Sequence, residues 1–205
     1  MSEIVNATLL AEVFITLFVI VDPPGTIPLF LALTRGQAKA ERRRAAWQAV
    51  TVSFAVIVLF ALFGRQLLQY LHISLPALQG AGGLLLLLVA LELLTGRDGE
   101  PRETRDVNVA LVPLGTPLLA GPGAIVATMV FVERIDDAPT LVAVAAGIVG
   151  VHAVLWLTMR YSVAILALIR NSGVTLVTRI SGLLLSAIAV QLIADSVRAF
   201  VEGKG

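Results

Sequence analysis

Residues 7–33 read ATLLAEVFITLFVIVDPPGTIPLFLAL, a long apolar stretch that holds only two charged side chains, Glu12 and Asp22. A helix needs about 20 apolar residues to cross a bilayer, and this stretch exceeds that length. Three prolines interrupt it within residues 21–28, VDPPGTIP. Because proline lacks a backbone N–H and clashes with the preceding turn, the stretch predicts a membrane helix that is broken near its middle.

The composition of the whole chain extends this prediction to a polytopic membrane protein. Hydrophobic residues make up 58% of the 205 residues and charged residues only 14%, against about 25% in a soluble domain. The apolar runs are too continuous for barrel strands, which alternate every second residue. We therefore predict an all-α membrane protein with six transmembrane helices, at Ala7–Leu33, Ala46–Gln69, Leu75–Thr95, Asn108–Val132, Pro139–Met159 and Thr178–Phe200.

The basic residues predict the orientation of these helices. Eleven of the 15 lysines and arginines fall in stretches 35–45, 96–107 and 160–179, which lie on one side of the predicted membrane. Positively charged loops stay in the cytoplasm. The sequence thus predicts that both termini face outward, in a prokaryotic plasma (inner) membrane.

Two segments repeat along the chain in the same order. PPGTIPLF at 23–30 resembles GPGAIVAT at 121–128 at an offset of 98, and GGLLLLLVALELL at 82–94 resembles SGLLLSAIAVQLI at 181–193 at an offset of 99. We divide the chain into a first three-helix repeat, 1–97, and a second, 98–205. Because three spans reverse the direction of the chain, the second repeat is inverted, an arrangement that recurs in secondary transporters.

The two proline-glycine segments predict a binding site. Asp22 resembles an N-cap followed by Pro23 at the start of a half-helix, and Gly121 followed by Pro122 resembles a second start, which breaks the fourth helix as well. Half-helix N-termini near the midplane suit an anionic group such as a carboxylate. The alternative is that both breaks are structural kinks, whose freed backbone groups bond to neighbouring helices.

The candidate residues come from these breaks and from one polar position in the last helix. Asp22 is an ionisable residue at membrane depth, which is functional by default, although it could serve only as a cap. Gln191 and Glu92 could each bond across helices instead of binding a ligand, and His152 could relay protons or bond to a neighbouring helix. The predicted substrate-binding residues are Asp22, Pro24, Gly25, Thr26, Gly121, Pro122, Gly123 and Gln191.

These segments resemble the MarC family of prokaryotic membrane proteins, also called the neutral amino acid transporter family. The resemblance rests on DPPG at 22–25 with Pro28 and Phe30, on PLLAGPGAI at 117–125, and on RISGLLLSAIAVQLI at 179–193. It implies six spans and, for SnatA-type members, transport of small neutral amino acids. It does not imply drug efflux.

We therefore expect a secondary carrier of glycine or alanine, with the solute carboxylate at one half-helix N-terminus and its ammonium near Asp22 or nearby carbonyls. The alternative is a channel or a scaffold that does not transport. The chain has no cysteine, phosphate loop, metal-ligand spacing or nucleophile with a base, so we expect neither an enzyme nor a cofactor. Its expected partners are the amino acid and the lipid bilayer, not nucleic acid. The sequence leaves open whether a proton or sodium ion drives transport and whether the chain forms a homo-oligomer.

Overall fold

The computed structural model describes residues 6–34, 36–95 and 120–203, and every regular element in these ranges is an α-helix. The predicted all-α class is therefore confirmed for the described residues. Seven helices follow one another in these ranges: α1 at Ala7–Val21, α2 at Pro23–Leu33, α3 at Lys39–Tyr70, α4 at Leu75–Thr95, α5 at Pro122–Val132, α6 at Ala138–Arg160 and α7 at Ser162–Val201.

Four of these helices are long and apolar enough to cross a membrane: α3, α4, α6 and the Thr175–Val201 part of α7. The first predicted span is present as α1 and α2, which meet at Asp22. The fourth predicted span is represented by α5, a shorter apolar helix. Residues 108–119, which would form its first part, lie outside the described residues.

The sixth predicted span, Thr178–Phe200, agrees with the apolar Thr175–Val201 part of α7, but the link before it differs from the prediction. We predicted a link before Thr178, but α7 already begins at Ser162 and only changes direction at Arg170, where φ is 58° and ψ is 171°. The intervening residues, VAILALI at 163–169, contain no glycine or proline that would stop a helix. The link between the fifth and sixth spans is therefore largely helical.

Local capping residues determine where two of the helices begin. Asn6 accepts the Leu9 N–H through its side chain at 3.0 Å, which starts α1. Asp137 accepts the Thr140 N–H at 2.9 Å and the Thr140 hydroxyl at 2.7 Å, which starts α6. These two hydrogen bonds, the one from the side chain first, lower the pKa of the Asp137 carboxyl.

Close packing between α4 and α7 depends on glycine. A Cβ built on Gly83 would lie 2.9 Å from the carbonyl oxygen of Ala189, and one built on Gly182 would lie 3.3 Å from that of Ala90. Lipid tails are as apolar as leucine, so helices in a bilayer associate through such close van der Waals contact. Leu86 and Leu185 complete this interface together with Ala90, Ala189 and, from α1, Val19.

Candidate functional site

The break in the first span consists of the single residue Asp22. Its backbone is left-handed, with φ 44° and ψ 66°, and its N–H donates to Phe18 O at 3.0 Å, so it ends α1. Its carbonyl oxygen accepts the Thr26 N–H at 3.1 Å, which is the first backbone bond of α2. An ordinary N-cap is extended, and Asp22 differs because one residue must both end one helix and start the next. Aspartate tolerates the left-handed region better than most residues do.

Prolines make this break local and abrupt. Pro23 and Pro24 have no N–H, so they cannot continue the hydrogen bonding of α1. The Thr26 N–H is occupied by Asp22 O. In the first turn of α2, Gly25 is thus the first residue that has a backbone N–H.

The second predicted break is described only from residue 120 onward, and its backbone differs from that at Asp22. Gly121 is extended, with φ −62° and ψ 163°, and α5 begins with Pro122 as its first residue. The Ile125 N–H donates to Gly121 O at 3.1 Å, so the N–H groups of Gly123 and Ala124 precede the intrahelical ladder. Gly121 supplies no side-chain cap. The predicted start of a half-helix at Pro122 is therefore observed.

An ion pair shows that both breaks lie at a similar level in the bundle. Arg134, just after α5, donates from Nη1 to Glu12 Oε1 of α1 at 2.6 Å. At about 1.5 Å per helical residue, Asp22 lies about 15 Å from Glu12, and Pro122 lies about 18 Å from Arg134. Both distances are close to half of the ~30 Å hydrocarbon core of a bilayer. The N-terminus of α2 and that of α5 therefore lie at similar distances from this ion pair, counted along α1 and α5.

The surroundings of Asp22 are closely packed. Asp22 and Thr26 are buried, and the Thr26 hydroxyl donates to Pro23 O at 2.7 Å. A Cβ built on Gly25 would overlap the Oδ2 atom of Asp22 and would lie 3.1 Å from Thr178 Oγ1 of α7. The Asp22 carboxylate therefore lies directly against the backbone of Gly25, and the Thr178 hydroxyl lies on the same side of that glycine.

The surroundings of Gly123 are apolar. A Cβ built on Gly123 would overlap the side chain of Leu86 from α4, and Leu86 is itself buried. One turn further along α5, Val126 packs against Gly82, where an added Cβ would lie 2.6 Å away. The start of α5 is thus covered by the side chain of Leu86.

The structure separates Gln191 from the other predicted site residues. Gln191 is exposed on α7 and donates from Nε2 to Asp195 Oδ1 of the same helix at 2.9 Å. Glu92 is also exposed, near the end of α4. Asp22, Pro24, Gly25 and Thr26 share one break, and Gly121, Pro122 and Gly123 share the other.

His152 has two hydrogen-bonding partners in the interior. Its Nδ1 lies 2.8 Å from Ile148 O, and its Nε2 lies 3.3 Å from Ser53 Oγ of α3. A carbonyl oxygen only accepts, so Nδ1 carries the proton and Nε2 of the neutral ring accepts from the serine hydroxyl. His152 thus has the interhelical bond that the sequence analysis offered as the alternative to a proton relay.

Thr178 and Leu86 are two residues of the site that the sequence analysis did not single out. Both come from helices far along the chain from the break that they contact, Thr178 from α7 and Leu86 from α4. A threonine at the start of a predicted span and one leucine in a leucine-rich run carry no signal of their own in the sequence.

Comparisons with known proteins agree with this architecture. A sequence model described as "MarC family integral membrane protein" matches residues 7–201. Among curated relatives, the UPF0056 membrane protein MJ1677 of Methanocaldococcus jannaschii is 36% identical over 192 residues, covering 90% of this chain and 94% of the relative. The UPF0056 membrane protein YhcE of Escherichia coli is 32% identical over 199 residues, covering 93% of this chain and 92% of the relative. No solved structure matches the chain.

Proposed function

Because the chain belongs to the MarC family of integral membrane proteins, we propose that it is a multi-pass secondary carrier of small neutral amino acids such as glycine or alanine. The observation that supports this proposal is the pair of proline-initiated helix starts at α2 and α5, one of them beside a buried aspartate. Transporters bind their substrates at such discontinuous helices near the midplane. The other candidate residues in the described ranges, Gln191, Glu92 and His152, do not form a comparable pair of helix starts.

The proposal includes two inverted three-helix repeats. At an offset of 99 residues, Gly83 corresponds to Gly182 and Ala90 corresponds to Ala189. Gly83 packs against Ala189, and Gly182 packs in the same way against Ala90. Such reciprocal contacts are the mark of a two-fold axis between equivalent surfaces.

A hydrogen bond gives independent support for the same axis. Ser53 and His152, which are also 99 residues apart, bond to each other between α3 and α6. Two equivalent residues can touch only where they lie close to the axis that relates them. The same relation thus describes the α3–α6 pair and the α4–α7 pair.

The two breaks divide the binding of a zwitterion between them. The start of α5 offers the N–H groups of Gly123 and Ala124, and its first turn carries no acidic residue, which suits a carboxylate. The start of α2 has the Asp22 carboxylate beside it, which disfavours a second anion and suits an ammonium. Both sites are buried, so the solute enters only after a movement of one repeat against the other.

Counterflow in proteoliposomes tests the carrier proposal. Vesicles loaded with unlabelled glycine or alanine are expected to accumulate the labelled amino acid transiently and saturably, because a carrier must bind its solute in order to change state. A channel would show flux without counterflow, and a scaffold would show no flux. Absence of counterflow across a broad panel of solutes would favour one of these two alternatives.

The proposed orientation, with both termini outside a prokaryotic inner membrane, has its own test. The chain has no cysteine, so single cysteines can be introduced without background labelling. Cysteines at Lys39 and Gly99 are expected to resist an impermeant thiol reagent added to intact cells, whereas one at the exposed Asp136 is expected to react. If the cysteines at Lys39 and Gly99 were labelled and the cysteine at Asp136 were protected, the orientation would be the opposite of the proposed one.

A further inference from the structure

An apolar groove of about 420 Å³ lies beside the end of α2 and is separate from the two breaks. Four apolar side chains line it, and one arginine, Arg170, completes the lining. Arg170 is exposed and stands at the corner where α7 changes direction. The apolar members of the lining are Leu31, Val163, Leu166 and Ala167.

Aromatic and basic residues place this groove at the level of a membrane–water interface. The Arg160 guanidinium lies over the ring of Trp156, 5.3 Å from its centroid, and over Tyr161 at 5.7 Å. Tryptophan, tyrosine and arginine gather where the acyl chains meet the headgroups. Since Val163 follows Tyr161 by only two residues, the groove lies at the same level.

The charge of this region is uniformly positive. Between Asp137 and Asp195 the sequence contains no acidic residue, whereas Arg160, Arg170 and Arg179 all fall in this interval. Basic pockets between transmembrane helices at the cytoplasmic interface bind anionic lipid headgroups. A phospholipid would fit both features of the groove, with an acyl chain along its apolar lining and its phosphate at the guanidinium.

We propose that this groove is a binding site for an anionic phospholipid, with Arg170 as the residue that holds its phosphate. The groove is open on its outer side, so an acyl chain can lie along its apolar lining while the exposed Arg170 guanidinium stands at its edge. The lipid would also contact Leu31 and so touch α2, the half-helix that follows the first break.

Native mass spectrometry of the whole protein, released from detergent that contains equimolar phosphatidylglycerol and phosphatidylcholine, tests this site. The wild type is expected to retain phosphatidylglycerol preferentially. Arg170→Gln is expected to weaken that retention about fivefold, as a basic residue near a membrane surface contributes about that much. Arg198→Gln, which alters an exposed arginine near the other end of α7, is the matched control and is expected to leave retention unchanged.

Two further experiments test whether the groove binds a whole phospholipid or only a phosphate group. Ala167→Phe fills the groove without changing its charge, and it is expected to lower the retention of phosphatidylglycerol although Arg170 is present. Inorganic phosphate at millimolar concentration is expected not to displace the lipid. Equal retention of both lipids by the wild type, equal effects of the Arg170 and Arg198 substitutions, unchanged retention in Ala167→Phe, or displacement by phosphate alone would each overturn the proposal. None of these outcomes depends on whether the protein transports amino acids.

Discussion

Asp22→Asn is expected to fold like the wild type and to lose about tenfold in glycine or alanine counterflow. The substitution keeps the left-handed backbone, which asparagine tolerates as well as aspartate does. It removes only the negative charge next to Gly25. A hydrogen bond from an ammonium to a charged group is about 1.5 kcal/mol stronger than one to a neutral group, which corresponds to about a tenfold effect.

Two other substitutions separate the charge of Asp22 from its backbone role. Asp22→Gly keeps the left-handed conformation but loses both the charge and the side-chain acceptor, so it is expected to lose at least as much counterflow as Asp22→Asn. Asp22→Ala must place an ordinary residue at φ 44°, which costs about 1–2 kcal/mol of stability in addition. Counterflow and thermal unfolding in the same detergent measure both effects. Wild-type counterflow by Asp22→Asn would show that the charge has no part in recognition and that Asp22 only joins α1 to α2.

The sequence predicted the break at Asp22 and the start of α5 at Pro122 well because their causes are local. Pro23, Pro24 and Pro122 lack an N–H wherever they occur, so the ends of the half-helices can be located without any knowledge of tertiary structure. The left-handed backbone of Asp22 was not foreseen, since an aspartate before a proline also fits an extended N-cap. Distinguishing the two requires the direction of α2 relative to α1, which the sequence does not contain.

The orientation of side chains around the helices was much harder to predict. In a soluble helix an apolar stripe marks the buried face, but a membrane helix is apolar on every side. Gln191 was therefore placed with the breaks, whereas it is exposed and bonds to Asp195 one turn along its own helix. Its part in substrate binding stays a prediction. For the same reason, Leu86 could not be distinguished from the other leucines of α4, although it alone among them covers Gly123.

Gly123→Ala is expected to abolish counterflow and to destabilise the protein by about 1–3 kcal/mol, the usual cost of overpacking a well-packed interior. The added Cβ would overlap the side chain of Leu86, which fills the space over the first turn of α5. Leu86 is buried against Ala90, Leu185 and Ala189, so it cannot move aside freely. The N–H groups of Gly123 and Ala124 would then lie beneath a methyl group that a solute carboxylate cannot displace.

A second substitution, Leu86→Ala, tests whether the overlap with Leu86 causes the defect of Gly123→Ala. Leu86→Ala removes the overlapping atoms, so the Gly123→Ala/Leu86→Ala double variant is expected to recover stability, with a coupling free energy of about 0.5–3 kcal/mol between the two sites. Gly25→Ala is the matched control, because its Cβ would overlap Asp22 and not Leu86. Leu86→Ala is therefore expected to leave the Gly25→Ala defect unchanged. Thermal unfolding of the three single and two double variants, followed by counterflow, measures the coupling. Equal rescue of both glycine variants by Leu86→Ala would mean that Leu86 acts through general loosening of the bundle, and its assignment as the cover over the start of α5 would be wrong.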